Sequence, residues 1–83
     1  MADSRKDVER YLAAVKTIVD GRNPERDRGS IMVTLEGTVA AVLVYVMGGD
    51  HRKAAAMLNE ALVQGVEERI ALAGRRRAKG KDG

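Results

Sequence analysis

From Gly37 to Gly49 the chain reads GTVAAVLVYVMGG, uncharged throughout, and between Val39 and Met47 no residue offers water a polar side. An element of that kind is normally interior. Periodicity alone does not separate strand from helix here, because a short apolar run rich in β-branched residues suits either. The flanks favour a helix over 38–47: Thr38 is an N-cap type ahead of Val39, and Gly48-Gly49 supplies a C-terminal stop.

Two amphipathic segments frame this run. Val8, Tyr11, Leu12, Val15, Ile18 and Val19 recur at helical spacing behind Ser4, which predicts a helix over about 5–20 that Gly21 ends. Asp50 opens a third helix with Ala54, Met57, Leu58, Ala61 and Leu62 inward; Gly65 is a soft spot where it bends or runs on to about residue 76. Residues 21–29 (GRNPERDRG) read as a charge-dense loop. The segment 30–36 (SIMVTLE) stays open. Ile31, Val33 and Leu35 alternate with Ser30, Met32 and Thr34 as in a strand, yet Ile31, Leu35, Val39, Val42 and Val46 also form a helical stripe. The fold class is therefore mainly α, with helices near 5–20, 38–47 and 50–76 and a short strand at 30–36 as one option. A continuous three-helix bundle and an α-β-β-α order are the alternatives.

Size limits what such a chain can bury. At 83 residues it is read as one small domain over 1–74. It has no cysteine, so disulfides and cysteine zinc sites are excluded, and a cytoplasmic location is the default expectation. With two tyrosines and no Phe or Trp the core must be aliphatic, and oligomerisation is the remaining route to stability, most simply as a homodimer. The net charge of +3 is a property of the tail: residues 75–83 carry five basic residues and one acidic, +4, leaving −1 for residues 1–74. Such a tail, poor in apolar residues, is expected to be disordered. Residues 29–49 approach the length of a membrane span, but Glu36 and Gly37 lie inside it and basic residues flank both ends, so no membrane partner is expected.

Candidate chemistry is sparse. The one histidine, His51, makes no metal site by itself and has no catalytic constellation around it, since the adjacent Asp50 does not face it from a helix start. GTVAAVL and VMGGD lack the Lys-Ser/Thr of a phosphate loop. No catalytic residue and no cofactor is assigned, and the chain is read as a non-enzyme.

The order strand, helix, helix over 30–64, with Ile31, Val33 and Leu35 alternating, Val39, Leu43 and Val46 apolar, and MLNEAL at Met57 to Leu62, resembles the ribbon-helix-helix family of DNA-binding dimers. The resemblance implies a non-catalytic DNA-binding regulator acting as a dimer. Two strands would pair across the dimer and enter the major groove, so Ser30, Met32 and Thr34 would face base edges. His51, Arg52 and Lys53 at the start of the second family helix would meet phosphate. The tail residues Arg75, Arg76, Arg77 and Lys79 would add salt-dependent affinity for duplex DNA.

A reading from a different class rests on the near-neutral body and the first stripe. There the chain is a small helical adaptor or antagonist, and Val8, Tyr11 and Val15 dock on a protein partner with Tyr11 as the aromatic anchor.

Overall fold

The computed structural model describes residues 4–82, with side chains described as far as Arg76. The elements are α1 (Arg5–Val19), α2 (Arg28–Val46), α3 (His51–Met57), a π-helical turn (Leu58–Leu62) and α4 (Val63–Asp82). The π turn joins α3 to α4 without a break, so the protein is mainly helical, with three helical stretches and no strand among the described residues.

Helix α1 starts where its cap predicts. Ser4 is extended, its Oγ accepts the Asp7 amide at 3.1 Å, and Asp7 in the first turn complements the helix dipole. It stops because Asp20 and Gly21 both take left-handed backbone angles, φ 50° and 68°, which end the i to i−4 ladder.

Helix α2 corrects the expectations for 21–29, 30–36 and 38–47 together. It is one helix of 19 residues, so the strand, the hairpin and the α-β-β-α order are absent, and the second helix begins ten residues earlier than expected. The start signal lies in the segment read as a loop. Asn23 Oδ1 accepts the amides of Glu25 and Arg26, both at 2.9 Å, Pro24 sits at the first turn, and Asp27 Oδ2 accepts the Asn23 amide at 3.0 Å. The turn 24–27 then feeds the helix, with the Ile31 amide on the Asp27 carbonyl at 3.0 Å. The Thr34 hydroxyl, which mimicked a polar strand face, turns back on the helix and donates to the Ser30 carbonyl at 3.1 Å, and Thr38, expected as an N-cap, is mid-helix and donates to the Thr34 carbonyl at 2.8 Å. Gly37 costs about 1 kcal/mol relative to Ala in mid-helix, too little to break a helix already nucleated upstream.

The chain divides into two compact units, one up to Val39 and one from Ala40. In the first, Arg22 joins the end of α1 to the start of α2. Its Nε donates to the Val19 carbonyl at 3.1 Å and one terminal nitrogen donates to Ser30 Oγ at 2.8 Å; the other donates to the Ile18 carbonyl and to Thr34 Oγ1, the latter at 3.1 Å. Ile18, Val19, Ile31, Thr34 and Val39 are half-buried, and no described residue of this unit is buried.

In the second unit, α2 ends in a Schellman motif: the Gly49 amide reaches the Val44 carbonyl at 2.8 Å and the Gly48 amide reaches that of Tyr45 at 3.1 Å, with Gly48 at φ +67°. Asp50 then caps α3 through the Lys53 amide at 3.0 Å. The irregularity expected at Gly65 falls at residues 58–62 instead. There the Leu58 amide is shared between the Ala54 and Ala55 carbonyls, and Asn59 Nδ2 adds a second donor to Ala55 O at 2.9 Å. Helix α4 carries the backbone to Asp82, through residues read as a disordered tail; the side chains of Arg77 and Lys79 lie outside the described residues.

Candidate interaction surface

Ala54, at 6% exposure, is the one buried residue among those described, and fifteen large apolar side chains are exposed. Scattered apolar exposure is normal, but a fold with almost no interior of its own is not. The surface is therefore the feature that needs a function.

On the last turns of α2, Val42, Tyr45 and Val46 stand at i, i+3 and i+4, hence on one face, and are 54%, 86% and 66% exposed. The apolar positions of α2 are not confined to one stripe, so while Leu43 and Val44 are half-buried, Tyr45 is left in water. Leu43 and Val44, with Ala40, Ala54, Ala55, Leu58 and His51, line an apolar groove of about 210 Å³. That is smaller than the ~300–1,000 Å³ typical of small-molecule pockets and matches one or two partner side chains. On α4, Val63, Val66 and Ile70 make a second exposed stripe, at 42%, 44% and 67%.

The sequence-predicted residues fall as follows. Ser30, Met32 and Thr34 lie on α2, with the Ser30 and Thr34 hydroxyls engaged by Arg22, so no ribbon presents them to a groove. His51, Arg52 and Lys53 form the first turn of α3 and are exposed, but the Asp50 carboxylate already holds the Lys53 amide that an incoming phosphate would use. Arg75 and Arg76 are exposed on α4. Val8 is half-buried, while Tyr11 and Val15, at 46% and 51%, are exposed on α1. Among the described residues no group of three or more His, Asp and Glu is placed to hold a metal ion.

Sequence reasoning missed the Arg22 clasp and the outward face of Val42, Tyr45 and Val46. The first had a signal: a basic residue just past a helix end, followed by hydroxyls at i and i+4. The second had none, because a run apolar on all sides does not reveal which side is left uncovered.

Helix α2 is long and apolar enough to cross a membrane by length and composition. Its charged residues are Arg28 in the first turn and Glu36 near the middle.

No family model matches this chain, and neither a curated protein nor a solved structure matches it.

Proposed function

We propose that this chain is a small, non-catalytic helical interaction module that acts by seating its exposed apolar helix faces against another polypeptide. The observation that carries the reading is that, among the described residues, Ala54 alone is buried beside fifteen exposed large apolar side chains. At about 25 cal/mol per Å² of apolar area, covering such faces supplies the stabilisation that the isolated chain lacks. A protein partner suits them better than duplex DNA, because the best-exposed face is uncharged and affinity for DNA rests on phosphate contacts.

Tyr45 is the diagnostic position. It is 86% exposed, so Tyr45→Ser leaves the chain's own packing intact while removing an aromatic anchor from the interface. Expected is at least a tenfold loss of affinity for a partner co-purified from the native cell, with helix content unchanged by circular dichroism. Unchanged partner recovery, or tight salt-sensitive binding of duplex DNA by both proteins, would defeat the proposal.

A further inference from the structure

We infer that the polypeptide seated on the unit beginning at Ala40 is a second copy of this chain, with Val42, Tyr45 and Val46 at the centre of a symmetric interface. This rests on the reading above that the exposed apolar faces are docking surfaces.

Area is the first argument. Nine large apolar side chains of this unit, from Val42 to Leu72, are exposed by between 36% and 86%. At roughly 100 Å² for a fully exposed aliphatic side chain, they hold on the order of 500 Å² of apolar surface per copy. A stable standard interface needs about 800 Å² from each partner, of which somewhat over half is apolar. Spread over α2, α3, the π turn and α4, the unit thus carries about the apolar surface that one full-sized interface uses, whereas a single docked peptide helix would cover only part of it.

Charge is the second. No ionisable side chain other than tyrosine lies between Gly37 and Gly49, so placing the face of Val42, Tyr45 and Val46 against itself brings no like charges together.

Constancy is the third. With Ala54 as the only buried residue described, cover is needed whenever the chain is folded, and the polypeptide present at matching concentration from synthesis onward is another copy. A two-fold arrangement closes on itself and leaves no unpaired face to propagate a fibre.

The absence of cysteine provides a clean background for the test. Val42→Cys and Val46→Cys are oxidised mildly as full-length proteins, singly and mixed, beside Glu9→Cys on α1 as a solvent-face control. Wild type and Tyr45→Asp are compared by sedimentation equilibrium. Expected are covalent dimers from the α2 cysteines at least tenfold faster than from the control, twice the chain mass for wild type, and a tenfold or greater rise in the dissociation constant for Tyr45→Asp. A wild-type monomer at 100 μM whose α2 cysteines cross-link no faster than the control overturns the inference. If that monomer still captures another protein through Tyr45, only self-pairing falls; if Tyr45→Ser changes no capture either, the interaction reading falls with it.

Discussion

Removing the Arg22 guanidinium is the sharpest probe of how α1 is tied to α2. The side chain donates to the Ile18 and Val19 carbonyls at the end of α1 and to the Ser30 and Thr34 hydroxyls at the start of α2. A hydrogen bond to a charged group is worth about 1.5–3 kcal/mol when buried, and a cation at a helix C-terminus adds about 0.3–1 kcal/mol. Arg22 is only half-buried, so water competes for each bond, and about 0.5 kcal/mol apiece is the appropriate scale. Arg22→Ala should therefore cost roughly 2–3 kcal/mol. Arg22→Lys should recover less than half of that, because an ammonium cannot spread four bonds over a planar fork. Urea denaturation at one fixed protein concentration measures the loss, since any self-association makes stability concentration-dependent. A double-mutant cycle with Thr34→Val isolates the link between the helices and should show a coupling of about 0.5–1 kcal/mol. A coupling indistinguishable from zero, with Arg22→Ala within about 0.3 kcal/mol of wild type, would refute the clasp.

Three further substitutions test local claims. Gly48→Ala should cost about 1–2 kcal/mol, read from the urea midpoint, because φ of +67° is left-handed backbone that alanine resists. Asp50→Ala should cost about 1 kcal/mol and accelerate amide exchange at Lys53 selectively, since only that amide is held by the Asp50 side chain. Gly37→Ala should raise stability by about 0.5–1 kcal/mol, because a Cβ there meets no atom of the chain within 4 Å and the backbone is already helical; a thermal melt that falls instead would mean that something else lies against it.

How legible this fold was in the sequence depended on whether a segment carried its own boundary signals. Ser4 ahead of the first stripe and Gly21 behind it placed α1 to within a residue, and Gly48-Gly49-Asp50 placed the turn between α2 and α3. Residues 30–36 were not legible, because Ile31, Val33 and Leu35 satisfy a period of two as well as Ile31, Leu35 and Val39 satisfy 3.6. Asn23-Pro24, seven residues upstream, decided the matter: it starts the turn that feeds α2, and a started helix continues at low cost. The candidate surface was half legible. The sequence marked Val39 to Met47 as a run to be buried, whereas Val42, Tyr45 and Val46 are exposed, and it pointed to Tyr11 as the aromatic anchor where Tyr45 is nearly twice as exposed, 86% against 46%.

The π turn keeps an apolar line running from α3 into α4. Ala54, Leu58, Leu62, Val66 and Ile70 are each four residues apart. In an α-helix of 3.6 residues per turn every such step overruns a full turn by about 40°, so four steps would carry Ile70 roughly 160° away from Ala54. Bonding of the i to i−5 type accommodates one extra residue, about 100° of rotation in the opposite sense, and brings most of that drift back. Asn59, within the turn, adds a second donor to the Ala55 carbonyl. The consequence is an apolar line that starts at the buried Ala54 and continues through Leu58 and Leu62 to Val66 and Ile70, where exposure reaches 44% and 67%. A helix end meant only for solvent gains nothing from keeping such a line straight. A straight line is useful when another helix lies along it, which is how a second copy would use α4 under the self-pairing inferred above.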